Sequence, residues 1–347
     1  MRRSTLLLLL LATLGAVAAP ADASADRAAL RTGIPDWAYL QPFEDTSAVA
    51  DVPRWTSFSR SGPGTIVATT WYTAWNGRTL RMVVAYPARR TGVRLPLVRV
   101  FHGAGGRATC GRTFGNTPGR YGFAIACLDG AGRRTRGYSY GAPGSVDDYA
   151  RIIGLIRDRL PGLRIDPARQ VAAGSSMGAQ EALLFAARHP GLVQTVVAMD
   201  APVDLGRRFW HLSAFRQQAL FTECGGTPDT APDCYREGSP LTYAADLARG
   251  DERLLLYWST ADSISRREQL PALAQAIHAA DPGRRFAIGI GLWAHGQAWP
   301  PARRNLEWLV DVGLAPRGTL GRSETRVVER IDVSAATDLS SLPAYGS

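Results

Sequence analysis

Short apolar runs alternate with amphipathic segments through most of the chain. Six runs have the length and composition of buried strands, namely LPLVRV, YGFAIACL, RQVAAG, LVQTVVAM, LLLYWST and FAIGIG. Apolar residues at helical spacing occur in SVDDYARIIGLIRDRL, MGAQEALLFAARHP, LPALAQAIHAA and RRNLEWLVDVGL. Strands that are joined through helices run parallel, and the helices cover both faces of the sheet. We therefore predict an α/β fold with a mostly parallel central sheet.

Two segments break this alternation. TIVATTWYT and RTLRMVVAYPA flank Asn76 and Gly77, which predicts an antiparallel hairpin at the edge of the sheet. Residues 203–251 contain several aromatic side chains and a close cysteine pair, and we interpret them as a small cap insertion over the strand ends. Packing within the insertion explains the same aromatic residues equally well.

These patterns divide the chain into four parts. We assign residues 1–23 to a signal peptide, 24–63 to a proline-punctuated leader that wraps the domain, and 64–316 to the main domain with its cap. Residues 317–347 form a tail in which ETRVVERIDV is a candidate late strand.

The first residues have the three parts of a secretory signal peptide. Arg2 and Arg3 precede an apolar run from Leu6 to Ala19, and small residues follow at the spacing of a cleavage site. An uncleaved membrane anchor and twin-arginine export are the alternatives, but the run is short for a membrane crossing. No later stretch is long and apolar enough to span a bilayer. We expect a secreted, extracytoplasmic protein without an integral membrane segment.

Four cysteines suit the oxidising compartment that this leader implies: Cys110, Cys127, Cys224 and Cys234. Three pairings are formally open, and we favour 110 with 127 and 224 with 234, because each pair is close in sequence. The chain has no C-x-x-C spacing and no histidine in ligand spacing to a cysteine pair. We therefore expect two disulfides and no metal site.

The formal net charge of +10 does not by itself predict nucleic-acid binding. All 40 basic residues are arginines, and they are dispersed along the chain. The densest group, around Arg133 and Arg134, lacks interleaved stacking aromatics and is typical of a solvated loop. The absence of lysine excludes a Walker-type phosphate loop. We expect no nucleic-acid partner and at most weak attraction to anionic envelope surfaces.

The stretch VAAGSSMGAQE carries the strongest chemical signal. Gly-x-Ser-x-Gly is satisfied with Ser176 at the centre and Gly174 and Gly178 outside, whereas centring on Ser175 fails. A nucleophile of this type lies on a tight strand-to-helix turn where flanking Cβ atoms would collide with neighbouring backbone. A strand precedes this stretch and a helix follows it, so Ser176 is the candidate nucleophile.

A serine hydroxyl needs a base to take its proton and an acid to hold that base. Beyond a turn of this type, the acid and then the base follow along the chain, each after a strand. His295 follows the last strand in GIGLWAHG and is the candidate base, and Asp262 ends LLLYWSTAD and is the candidate acid. Asp200, one strand earlier, is the competing acid, which we interpret as a bracing residue. Ordinary structural roles explain the other histidines after Ser176: His189, His211 and His278.

An oxyanion site follows the strand LPLVRV. The loop FHGAGG can present the backbone N–H of Ala104 or Gly105, and Met177 directly after the candidate nucleophile supplies the second donor. His102 is then a residue that braces the loop. Candidates for lining the substrate pocket, each of which simple packing explains equally well, are Tyr138, Tyr140, Trp210 and Trp293.

With these residues assigned, the chain resembles the α/β-hydrolase superfamily, and within it the secreted esterases related to prolyl oligopeptidase and polyhydroxybutyrate depolymerase. The matching pieces are LPLVRVFHGAGG, VDDYARIIGLIR, RIDPARQVAAGSSMGAQEAL, EGSPLTYA, STAD and AHG, between about residues 64 and 313. Ala179 departs from the second glycine that commonly follows in the family's elbow. No β-propeller pattern precedes the main domain, which favours an esterase over an oligopeptidase.

The resemblance implies an α/β-hydrolase fold and a serine hydrolase that needs no metal or organic cofactor. We expect hydrolysis of carboxylic esters, small or polymeric, through an acyl-enzyme on Ser176. A peptidase or an envelope acyltransferase using the same triad is the first alternative. A non-catalytic binding protein with the hydrolase fold is the second. The oligomeric state cannot be inferred from the sequence.

Overall fold

The computed structural model describes residues 56–89, 92–265, 268–297, 307–316 and 327–342. The predicted signal peptide, and the predicted leader up to residue 55, lie outside the described residues. Within the described ranges no helix combines the length and the apolar character that a membrane crossing needs.

One mixed sheet organises the described chain. Its strands are β1 (Ser57–Arg60), β2 (Thr65–Thr73), β3 (Thr79–Pro87), β4 (Leu95–Phe101), β5 (Ala124–Leu128), β6 (Ile165–Ser175), β7 (Thr195–Met199), β8 (Arg253–Ser259), β9 (Phe286–Gly291) and β10 (Val327–Val333). Their spatial order is β1-β2-β3-β5-β4-β6-β7-β8-β9-β10. The strands from β5 to β9 in this order are parallel, and antiparallel strands form both edges. The prediction of a mostly parallel sheet is confirmed.

The predicted hairpin is present near one edge of the sheet. β2 and β3 pair in register from Thr65 opposite Pro87 to Thr73 opposite Thr79. Gly77 in the connecting turn has a φ of 79°, which glycine adopts without strain. Ser57–Arg60 pairs outside β2, so this part of the predicted leader belongs to the sheet. At the other edge, part of ETRVVERIDV forms β10 antiparallel to β9.

Helices lie between the strands. They are α1 (Cys110–Phe114), α2 (Thr117–Tyr121), α3 (Pro143–Ala150), α4 (Ile152–Arg159), α5 (Met177–Arg188), α6 (Leu205–Phe209), α7 (Ala214–Cys224), α8 (Pro232–Glu237), α9 (Ala244–Arg249), α10 (Gln269–Ala280) and α11 (Glu307–Asp311), with a 3₁₀ turn at Pro240–Tyr243. The segment SVDDYARIIGLIRDRL, predicted as a single helix, is two helices. The break falls at Arg151, where ψ is −4° and the guanidinium donates to the Thr73 carbonyl.

Both faces of the sheet are covered by apolar packing. Along β8, Leu254 and Leu256 belong to one buried cluster, whereas Leu255 and Tyr257 belong to another on the opposite face. Successive strand side chains point to opposite faces, so this strand must be buried on both. Side chains within these strands are consequently used for packing, and groups that can meet a substrate lie at the strand ends and in the segments beyond them.

The cysteines pair as the sequence favours. Cys110 at the start of α1 is joined to Cys127 on β5, and Cys224 at the end of α7 is joined to Cys234 on α8. The second bond closes part of the cap, and the first fixes α1 against the sheet.

Candidate active site

Ser176 occupies a strained turn between β6 and α5. Its φ of 59° and ψ of −130° are a conformation that side chains with a Cβ rarely adopt. A Cβ on Gly174 would lie 2.3 Å from the Gly178 backbone, and a Cβ on Gly178 would lie 2.2 Å from the Phe101 carbonyl oxygen. Both flanking glycines are therefore required by contacts with backbone, as the Gly-x-Ser-x-Gly pattern predicts.

Replacing Gly178 with alanine should lower the free energy of unfolding by about 3 kcal/mol or more, at or above the upper end of overpacking costs. The contact is with backbone of β4, which cannot rotate away. Gly154→Ala on α4 is the matched control, since nothing lies within 4 Å of its added Cβ. There a gain of up to about 1 kcal/mol is expected from helix propensity. Chemical unfolding of both variants tests this, and equal stabilities would contradict it.

His295 and Asp262 form a hydrogen-bonded pair at the ends of neighbouring strands. His295 Nδ1 lies 2.8 Å from Asp262 Oδ2. The other carboxylate oxygen accepts the N–H groups of Ile264 and Ser265 at 2.7 and 2.9 Å. Burial would raise the pKa of Asp262, but His295 and these two N–H groups outweigh it and hold the pKa below its ordinary value. Asp262 is thus an ionised acceptor that orients the imidazole.

Ser176 and His295 line one cavity of about 300 Å³. No hydrogen bond joins the Ser176 hydroxyl to the His295 ring within the described chain, although both residues line the cavity. Catalytic hydrogen bonds are often long in the absence of substrate and tighten when it binds. The structure brings the three predicted triad residues to one place, with the acid–base contact already formed.

The two predicted loops for oxyanion binding meet at this cavity. Ala104 and Met177 both line it, and their N–H groups have no acceptor among the described residues. Gly105, the other candidate donor, is a correction: its N–H donates to the Gly137 carbonyl at 2.7 Å and is unavailable to a substrate. Ala104 and Met177 remain as the donor pair.

His102 braces this loop, as the sequence suggests. Its Nδ1 lies 2.9 Å from the Gly103 carbonyl oxygen, which assigns the proton to Nδ1. Its Nε2 then accepts the Gly130 N–H at 2.8 Å. Both ring nitrogens are engaged, so His102 is not available as a base.

Asp200 holds the loop that carries His295. Its carboxylate accepts the indole N–H of Trp293 at 3.1 Å and the N–H of Gly296 at 3.0 Å. Burial and the nearby Asp262 charge raise its pKa from 3.8 to about 6, although Gly296, His295 and Trp293 act in the opposite direction. It makes no hydrogen bond to His295 in the described chain, in agreement with a bracing role.

A pH-dependent stability follows from Asp200. The folded protein keeps this proton up to about pH 6, whereas the unfolded chain releases it near 3.8, so the unfolding free energy should fall between about pH 4 and pH 6. The loss is on the order of 3 kcal/mol for a carboxyl that is 1% exposed. In Asp200→Asn this contribution is absent, and chemical unfolding across this range should show the variant gaining stability relative to wild type as pH rises. Parallel profiles for the two proteins would contradict the expectation.

Asp200, Asp262 and His295 also offer ligand atoms within 4.8 Å of one another. Their arrangement does not favour a cation. Asp200 accepts two N–H donors, and the His295 nitrogen that faces Asp262 takes part in a hydrogen bond. A metal would have to displace these donors, and we assign none to the group.

Backbone strain is concentrated at this site. Among the described non-glycine residues, positive φ occurs at Tyr140 (41°), Ser176 (59°) and Asp200 (53°). Tyr140 is held in place by Glu181 of α5, which accepts the Ser139 hydroxyl and the Gly141 N–H on either side of it. Such strain persists only where surrounding contacts enforce it, and it clusters at functional sites.

Of the four aromatic residues proposed for the pocket, the structure places only Tyr140 in the cavity lining. Trp293 is 3% exposed and turns its indole N–H to Asp200 beneath the site. Trp210 is 53% exposed and packs edge-on against Phe209. Tyr138 packs near Phe215 with its hydroxyl over Gly105. None of these three residues is in the cavity lining, so the structure does not bear out their assignment to the pocket.

The cap insertion forms part of the wall of the cavity that contains Ser176. The cap residues that line the cavity are Leu205, Arg208, Leu212, Arg216 and Leu220. Leu205 and Arg208 lie on α6, Arg216 and Leu220 lie one turn apart on α7, and Leu212 lies between the two helices. These residues are visible in the sequence, but nothing in it shows that they face Ser176.

Sequence comparison links the chain to esterases. Residues 152–233 match the Esterase family, described as "Putative esterase". This stretch contains the Ser176 turn and much of the cap. None of the curated proteins shows significant sequence similarity to the chain.

Solved structures share the fold at low sequence identity. Acylaminoacyl peptidase from Pyrococcus horikoshii is 16% identical with a TM-score of 0.55, over 70% of this chain and 39% of that one. A Mycobacterium tuberculosis puromycin-hydrolyzing peptidase is 21% identical with a TM-score of 0.56, over 77% and 40%. S-formylglutathione hydrolase from Agrobacterium tumefaciens is 19% identical with a TM-score of 0.51, over 69% and 89%. The matched region spans about two fifths of the length of either peptidase.

The sheet order, the Ser176 turn and these likenesses agree. The chain has an α/β-hydrolase fold, and its residues 152–233 are similar to the Esterase family.

Proposed function

We propose that the protein is a secreted serine hydrolase that cleaves carboxylic esters through an acyl-enzyme on Ser176. The observation that carries the proposal is the position of Ser176. It lies on a strained turn in the wall of a cavity that it shares with His295, and Asp262 holds the imidazole at 2.8 Å. The match to the Esterase family supports an ester as substrate.

The reaction follows from these positions. His295 Nε2 takes the Ser176 proton as the hydroxyl oxygen attacks the ester carbonyl. The resulting oxyanion accepts hydrogen bonds from the N–H groups of Ala104 and Met177. His295 then gives its proton to the departing alcohol, which leaves the acyl group on Ser176. A water molecule, deprotonated by His295, releases the carboxylic acid and restores the serine.

Export is the remaining part of the proposal. Two disulfides in the described chain are compatible with an oxidising compartment, where such bonds persist. The N-terminal segment, from Arg2 through the apolar run, supports the same localisation by its composition.

A fluorophosphonate probe tests the chemistry, and a substrate panel tests its class. Wild-type protein should be labelled, and peptide mapping by mass spectrometry should find the label on Ser176 and not on Ser175. Aryl esters, peptide anilides and an ester with an alcohol acceptor should then be compared in one assay. Ester hydrolysis should exceed amide hydrolysis and acyl transfer. Faster anilide cleavage would favour a peptidase, and absence of labelling would support a binding protein.

A further inference from the structure

Two arginines of the cap face the cavity that contains Ser176. Arg208 lies on α6 and is 4% exposed, and Arg216 lies on α7 and is half-buried. Both line the same cavity as Ser176 and His295. Their guanidinium groups stay charged at any pH at which a protein folds.

The described part of the cavity wall offers Arg216 no carboxylate. The described lining residues include no aspartate or glutamate. Leucines from the cap, with Pro202 and Ile264, make much of the wall apolar. Arg216 makes no ion pair or side-chain hydrogen bond with another residue of the described chain. A cation in such surroundings is costly unless an anion compensates it.

Both charges act on one polar group of the cavity. Burial raises the pKa of the Tyr140 hydroxyl and Tyr138 adds to this, while Arg216 and Arg208 act in the opposite direction. Tyr140, Arg208 and Arg216 all line the cavity. A hydroxyl and two guanidinium groups in the wall of a largely apolar cavity are the donors that a carboxylate needs.

We infer that the substrate is a small ester that also carries a carboxylate, which Arg216 and Arg208 bind beneath the cap while the ester carbonyl lies at Ser176. The inference rests on the proposed function and names the substrate class of the same site. The planar fork of a guanidinium matches a carboxylate better than it matches a neutral group. The cavity of about 300 Å³ accommodates an anionic part with a short chain, as in the monoester of a dicarboxylic acid.

Two matched pairs of chromogenic esters test the inference. The first pair compares 4-nitrophenyl monoadipate with methyl 4-nitrophenyl adipate, which differ by one negative charge on the acyl side. The second compares 4-butyryloxybenzoate with its methyl ester, which differ on the alcohol side. Wild-type kcat/KM should favour the anionic member of at least one pair by roughly 10- to 100-fold, the range expected for a hydrogen bond between charged groups.

The ratio of kcat/KM for the anionic ester to that for its neutral partner, measured in cap variants, tests whether the cap arginines cause the preference. Arg216→Gln should reduce it to about threefold or less. Arg236→Gln on α8 is the control, because it removes a cap charge whose partner is the exposed Asp233 and which does not line the cavity. In that variant the ratio should be unchanged. Adipate should inhibit the wild type at lower concentration than inorganic phosphate.

The outcomes separate the inference from the proposed function. Probe labelling with equal rates for both members of each pair would overturn the carboxylate inference alone. The same holds for a preference that Arg216→Gln leaves intact, or for stronger inhibition by phosphate than by adipate. Failure of the wild type both to react with the fluorophosphonate and to hydrolyse any ester would instead overturn the proposed function.

Discussion

Replacing Ser176 with alanine is expected to lower kcat for an aryl ester by about 1,000,000-fold, the order of loss seen when a triad nucleophile is removed. The variant keeps the turn, the cavity and the two N–H donors, but it has no atom that can accept the acyl group. The free energy of unfolding should be unchanged or slightly higher. Alanine has the same backbone strain at φ 59° as serine, and it has no hydroxyl that loses its hydration on folding. Steady-state kinetics and fluorophosphonate labelling measure the two consequences.

Ser175→Ala is the matched control for this variant. The Ser175 hydroxyl is buried and has no hydrogen-bond partner within the described chain, and it lies near Gly296. Removing it should leave kcat within about tenfold of wild type, since an unsatisfied buried hydroxyl contributes little to stability or orientation. If Ser175→Ala were the inactive variant, or if Ser176→Ala were still labelled, the nucleophile would be wrongly assigned.

The candidate nucleophile can be predicted from the sequence because the turn that carries it depends on a short pattern of neighbouring residues. The turn around Ser176 needs glycine at positions 174 and 178, because a Cβ at either position would collide with neighbouring backbone. His295 and Asp262 were found by the same reasoning, since parallel strands bring their carboxyl ends to one edge of the sheet. Asp262 follows β8 and His295 follows β9, and these strands are neighbours in the sheet, so the segments beyond them can meet.

The misassigned residues depend on contacts that local patterns do not contain. Gly105 directly follows Ala104, whose N–H is useful, but the Gly105 N–H donates to the Gly137 carbonyl. Trp293 is two residues before His295 in sequence, yet its indole N–H donates to the Asp200 carboxylate beyond β7. In both cases a distant segment decides which way a group points.

Asp262→Asn is expected to lower kcat by about 10,000-fold while leaving the fold intact. The asparagine oxygen can still accept the N–H groups of Ile264 and Ser265, which now bond Asp262 at 2.7 and 2.9 Å. Its amide would then donate to His295 Nδ1, which fixes the ring proton on Nε2. A protonated Nε2 cannot take the Ser176 proton, so the loss should appear in kcat and only weakly in KM.

Asp200→Asn tests whether the loss in Asp262→Asn comes from the wrong tautomer of His295 or from the removal of any negative charge near His295. Asp200 contacts Trp293 and Gly296 and not the imidazole, so its replacement should misplace the loop without fixing the wrong tautomer. We expect a loss of about 100-fold or less, far smaller than that of Asp262→Asn, because only the orientation of the base is affected. Kinetics on both variants with one aryl ester decide the matter. A larger loss in Asp200→Asn would transfer the role of the triad acid from Asp262 to Asp200, one strand earlier in the sheet.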